Sequence, residues 1–167
     1  MNCLKNIDII EDRNNIIQTY QNVFDNMNNP VGVTFNLRNT RKTKDKIKGT
    51  KSITLDQQHL EHIWNRFSGC MLNATYPRFM RKMINRPPLL IGGFEYGDIK
   101  EGPHIHCIVN NVDKSPEHQM RWIIKECIIK TKRYTSWLGD NIHFEDSIDR
   151  KFVSYFLKGS SFVSLYC

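Results

Sequence analysis

The spacing of apolar residues changes period several times along the chain, and each change predicts an element. Between Asn15 and Met27 the apolar positions Ile16, Ile17, Tyr20, Val23, Phe24 and Met27 recur at helical spacing, which predicts an amphipathic helix ended by Asn26 to Pro30. From Val31 to Arg38 the period drops to two: Val33, Phe35 and Leu37 alternate with Thr34, Asn36 and Arg38. That is a half-buried strand whose polar face is available to ligands. A capping-box pattern, Thr54-Leu55-Asp56-Gln57, opens a long helix with the stripe Leu60, Ile63, Trp64, Phe67 and Met71. After the Pro87-Pro88 break, Leu89 to Tyr96 reads as a strand. Gly97 to Gly102 is a hairpin connection to a second strand over His104 to Asn110. Ser115-Pro116 reads as N-cap and first helical position for a helix burying Met120, Ile123, Ile124, Cys127 and Ile128. A short strand at Asn141 to Glu145 turns Ile142 and Phe144 inward, and a last helix runs from about Ile148 to Lys158 and stops at Gly159. The order is helix, strand, helix, strand, strand, helix, strand, helix. It predicts an α+β fold: antiparallel strands with helices on one face and the other face open.

Length and charge narrow the possibilities. The 167 residues suit one globular domain, residues 1–167, with 1–29 as an N-terminal helical extension. No apolar run approaches the roughly 18 to 20 residues that span a bilayer, and the N-terminus lacks the basic and apolar regions of a signal peptide, so an intracellular protein with no membrane partner is expected. The five cysteines are odd in number and never form a C-x-x-C pair, which argues for reduced thiols rather than a disulfide framework or zinc ribbon. A net charge of +7 and a pI near 9.2 call for a polyanionic partner, and nucleic acid leads. The bases concentrate in Arg38, Arg41, Lys42, Lys44, Lys46, Lys48 and Lys51, opposed there by Asp45 alone. Such a block is expected to be a loop or arm that contacts phosphates. Arg78, Arg81, Lys82 and Arg86 form a second basic segment. The chain contains no G-x-x-x-x-G-K-[ST], so it carries no P-loop motor of its own.

The chemistry lies in the central hairpin and the last helix. Alternation places His104 and His106 on one face of their strand and Ile105, Cys107 and Val109 on the other, while the hairpin brings Glu95 back beside the histidines. An isolated H-x-H is more often a pair of satisfied surface histidines. With Glu95 it becomes a mixed N/O set suited to Mn²⁺, Mg²⁺ or Co²⁺, with positions left for water or substrate oxygens. His59 and His62 lack a third ligand and read as surface residues. On the last helix Phe152, Val153, Phe156 and Leu157 make the buried stripe, and Lys151, Tyr155 and Lys158 share the opposite face. A phenol, with a pKa near 10, attacks phosphorus at neutral pH only with a metal to withdraw charge and cations to hold the developing anions.

Taken together, VTFNLR, E-x8-H-I-H and Y-F-L-K, in that order over Val31 to Lys158, resemble the nuclease domain of HUH-type rolling-circle replication initiators. The resemblance implies a five-stranded antiparallel sheet related to ferredoxin-like and RNA-recognition folds. It implies a Mn²⁺ or Mg²⁺ centre at Glu95, His104 and His106, with Tyr155 as nucleophile and Lys158 as the lysine of Y-x-x-K. Thr34, Asn36 and Arg38 fall in the motif that helps engage origin DNA. The implied activity is metal-dependent nicking and rejoining of single-stranded or hairpin origin DNA through a 5′-phosphotyrosyl intermediate, with helicase and polymerase supplied separately. The setting would be a prokaryotic cytoplasm or, for a virus, a host nucleus. Two other readings stay open: a single-tyrosine HUH transposase, and a non-catalytic module binding single-stranded nucleic acid by stacking and charge.

Overall fold

A computed structural model of the protein describes residues 13–45, 49–76, 89–95, 102–112, 114–159 and 162–166. Its elements are, in chain order, α1 (Arg13–Asp25), β1 (Val31–Leu37), β2 (Thr40–Asp45), β3 (Gly49–Thr54), α2 (Gln57–Thr75), β4 (Leu90–Glu95), β5 (His104–Val109), α3 (Glu117–Tyr134), β6 (Leu138–Phe144), α4 (Arg150–Gly159) and β7 (Phe162–Tyr166). The chain is α+β. The main sheet has the order β6-β1-β5-β4-β7 with every neighbouring pair antiparallel, and β2 and β3 form a separate two-stranded ribbon.

Alternation decides what each face of the sheet meets. Val33, Phe35 and Leu37 of β1, Leu90 and Phe94 of β4, and Ile105, Cys107 and Val109 of β5 share one face. They pack against the α2 stripe Leu60, Ile63, Trp64, Phe67 and Met71 and the α3 stripe Met120, Ile124, Cys127 and Ile128. Gly92 lies under Trp64, and a side chain there would collide with the indole ring, so the missing Cβ lets α2 settle onto β4.

The opposite face is not open along its whole length, which corrects the expectation of helices on one face only. Ile91 and Ile108 pair across β4 and β5 and point to that second face. There they are covered by Tyr20 and Met27, from α1 and the turn after it, and by Val153 and Leu157 of α4. The two helices are tied by Gln21 Nε2 donating to Ser154 Oγ at 2.7 Å and by an Arg150–Asp25 ion pair at 2.8 Å. Two apolar stripes that need burial and two isoleucines that need cover account for this second layer. Every residue of β5 is consequently buried, His104 and His106 included.

Local signals were shifted in several places. Asp56, not Thr54, caps α2, its carboxylate accepting the His59 N–H at 2.9 Å, while Thr54 closes β3. α3 begins at Glu117 after Pro116 with no side-chain cap, and Ser115 instead exchanges hydrogen bonds with the Asn111 amide at 2.6 and 3.0 Å. α4 starts behind Asp149, which accepts the Phe152 N–H at 2.8 Å. The basic block expected as a loop or arm is largely strand. Its register sets Arg41 against Ile53, Lys42 against Ser52, Lys51 against Thr43 and Lys44 against Thr50. Among the described residues of this register no base stands directly opposite another base, so the like-charge penalty across the pair is avoided and the β-branched threonines favour the ribbon. β7 pairs along β4 from Phe94↔Phe162 to Leu90↔Tyr166 and adds a strand after the last helix, beyond the elements that the hydrophobic pattern predicts.

Candidate metal centre

Three strands build the site. Antiparallel pairing sets Glu95 opposite His104 and Gly93 opposite His106 across β4 and β5, and sets Thr34 opposite His106 and Asn36 opposite His104 across β1 and β5. Glu95 Oε2 lies 3.6 Å from His104 Nε2 and 3.3 Å from His106 Nε2, and the two imidazoles meet edge to face at 4.7 Å between centroids. One ligand atom from each residue falls within a span of 4.8 Å. For metal bonds of about 2.1 Å, neighbouring donors on a tetrahedral or octahedral ion stand roughly 3.0–3.4 Å apart, close to what Glu95 makes with the two rings.

The far nitrogens show which lone pairs are offered. His104 Nδ1 stands 3.0 Å from the Gly102 carbonyl, an acceptor only, so Nδ1 carries the proton and Nε2 a lone pair. Gly102 has φ +68°, a left-handed conformation natural to glycine at the point where the chain enters β5. His106 Nδ1 lies 2.8 Å from Thr34 Oγ1, which donates to Glu145 Oε1 at 3.0 Å. Burial, and after it the neighbouring His104, holds the His106 imidazole below its ordinary pKa, against the pull of Glu95 and Glu145. Glu95 Oε2 and the Nε2 atoms of both rings thus converge, and wherever Nε2 is unprotonated a cation between them would relieve the repulsion of carboxylate and lone pair. The group can hold a divalent metal ion, and three protein ligands leave further positions for water or substrate.

α4 runs beside this centre. The Phe152 ring stands 6.3 Å from His106, edge on, and Tyr155 follows one turn later with 66% of its surface exposed. Phe152 was expected in the buried stripe with Val153 and Leu157. It is only partly buried, because it packs at the edge of the second-face core, toward the histidine. Lys158 belongs to α4, but its side chain lies outside the described residues. Asn36 is half-buried on the site face, whereas Arg38 is exposed and paired with Asp140 at 3.8 Å. Arg41 and Lys42 are exposed on β2, and Lys44 has its place in the ribbon register, but its side chain is not among those described. Lys46, Arg78, Arg81, Lys82 and Arg86 lie outside the described residues. His59 pairs with Asp56 at 2.7 Å and rests against Trp137, a structural role, while the Cys107 thiol is buried and pushed well above its usual range.

Glu145 is the site residue that sequence reasoning missed. Alternation after the inward Ile142 and Phe144 turns it to the site face, but only the pairing of β6 with β1 brings it to Thr34. His143, exposed, lies 3.7 Å from its other oxygen. Among the described residues no helix is long and apolar enough to cross a membrane. No family model, curated protein or solved structure matches the chain.

Proposed function

We propose that the protein is a metal-dependent nuclease that nicks and rejoins single-stranded DNA through Tyr155, of the HUH replication-initiator type that its motifs resemble. The observation that carries the reading is the convergence of Glu95, His104 and His106 beside α4, whose Phe152 touches the site and whose Tyr155 is exposed one turn on. A divalent ion held by those three residues would draw charge from the scissile phosphate. The Tyr155 oxygen loses its proton and bonds to phosphorus as the bond from phosphorus to the 3′ oxygen breaks, and that oxygen takes up a proton. The products are a 5′-phosphotyrosyl adduct and a free 3′-hydroxyl, and the reverse attack reseals the strand. Arg41 and Lys42, with the other bases of the ribbon, hold the DNA backbone by charge. Asn36, opposite His104, faces the strand being cut.

The test is covalent capture. The protein is incubated with Mn²⁺ and a pool of single-stranded oligonucleotides, denatured, and examined for DNA attached at Tyr155. An adduct that disappears in Tyr155→Phe supports the reading. DNA binding without any adduct, with or without Mn²⁺, supports the competing one, a single-strand-binding module built on the exposed basic ribbon. A same-chemistry transposase would be separated by a preference for transposon ends over replication origins.

A further inference from the structure

We propose that Glu145 and Thr34 form a positioning relay that keeps the His106 proton on Nδ1 and so leaves Nε2 open to the metal; this rests on reading Glu95, His104 and His106 as a metal centre. Neutral His106 has one ring proton, and among the described residues Glu95 and Thr34 can each accept it. Glu95 Oε2 stands 3.3 Å from Nε2, and Thr34 Oγ1 stands 2.8 Å from Nδ1. If the proton goes to Nε2, it bonds Glu95, and one metal ligand caps another. The direction of the Thr34 bond decides between them. A threonine hydroxyl has a single hydrogen, and a carboxylate only accepts. With that hydrogen spent on Glu145 Oε1 at 3.0 Å, Thr34 Oγ1 can only accept from Nδ1–H.

Glu145 is built into this position. Its backbone N–H donates to the Gly32 carbonyl at 3.0 Å, and Arg121 donates to its carbonyl at 3.3 Å. Arg121 is in turn held by Glu117 at 2.6 Å. A Cβ on Gly32 would stand 2.6 Å from Ile148 Cγ2 and 2.9 Å from Glu145 Cγ, so glycine at this point of β1 is what admits the glutamate side chain. Partners of this kind orient a ligand imidazole and set its tautomer, and their loss typically costs about 10–100-fold in metal affinity.

The experiment reads histidine ring-nitrogen NMR in the metal-free protein and Mn²⁺ affinity by calorimetry, for wild type, Thr34→Val, Thr34→Ser, Glu145→Ala and Gly32→Ala. In the wild type His106 should show a protonated Nδ1 and an unprotonated Nε2. Thr34→Val and Glu145→Ala should move the proton toward Nε2 and weaken Mn²⁺ about 10–100-fold, with Gly32→Ala following them by displacing Glu145. Thr34→Ser, which keeps the hydroxyl, should restore both readings. An unchanged tautomer and affinity in Thr34→Val and Glu145→Ala would overturn the relay. Wild-type protein that binds no Mn²⁺ would sink the metal-centre reading instead, while the tautomer shift would still decide the relay. If Thr34→Val does not fold, Glu145→Ala, at a partly exposed position, decides alone.

Discussion

The candidate metal-centre end of the main sheet and the β2–β3 ribbon are both polar surfaces on antiparallel strands, and they are built in opposite ways. At the centre, His104 and His106 keep only 7% and 8% of their surface exposed, and nearly every ring nitrogen is matched to a named partner. In the ribbon, Arg41 and Lys42 are exposed, and each of the paired bases Arg41, Lys42, Lys44 and Lys51 sits opposite a neutral residue. A buried polar group must be satisfied by geometry, whereas an exposed cation is satisfied by water and acts through the summed field. The first region should therefore respond to single atoms and the second to total charge.

The largest expected effect is Tyr155→Phe, which removes one oxygen from an exposed ring. The covalent adduct on denaturing gels should vanish, while stability shifts by less than about 0.5 kcal/mol in urea unfolding. A persistent adduct would move the nucleophile elsewhere. Next come His104→Ala and His106→Ala. Excess Mn²⁺ at about 100 times its Kd should stabilise the wild type by about 2.7 kcal/mol in thermal scans, and this gain should be absent from either variant. Because both histidines are buried against α4 and the neighbouring strands, rather than free on an open face, each variant should also lose some metal-free stability.

An intermediate effect follows from pH. His106 titrates below its ordinary 6.5 in the folded protein, with burial the leading cause, so below that value the unfolded chain binds more protons than the native one. The stability it contributes is present above 6.5 and lost as pH falls toward and through the folded value. Metal-free protein should therefore show a thermal midpoint that declines on acidification. Mn²⁺ affinity should weaken in the same direction, because protons and metal compete for Nε2. A His106→Gln variant whose acid-side decline matches the wild type would refute the assignment. The smallest effect belongs to the ribbon. Replacing Arg41 and Lys42 with alanine should leave the fold and Mn²⁺ affinity intact and lower the slope of log affinity against log salt by about 0.7 per lost phosphate contact. A slope that stays put would reduce the ribbon to a bystander.

What the residues alone determined is what depends on near neighbours. That His104 and His106 share a face, that Cys107 turns into the core, and that Leu60 to Met71 line a buried helix follow from periods of two and 3.6, which are local properties of the backbone. Glu95 was legible because a short hairpin leaves its strand few ways to return. The cover over Ile91 and Ile108 was not legible, since the stripes of α1 and α4 bury equally well on either face until the whole chain is placed. Nor was the ribbon, whose register sets Arg41, Lys42, Lys44 and Lys51 opposite isoleucine, serine and threonine. The Thr34–Glu145 bond joins residues 111 positions apart and exists only because β6 lies beside β1 with Gly32 leaving room. Which strands become neighbours, and in what register, is settled by burial summed over both faces of the sheet, and that sum is not written in any one stretch of the chain.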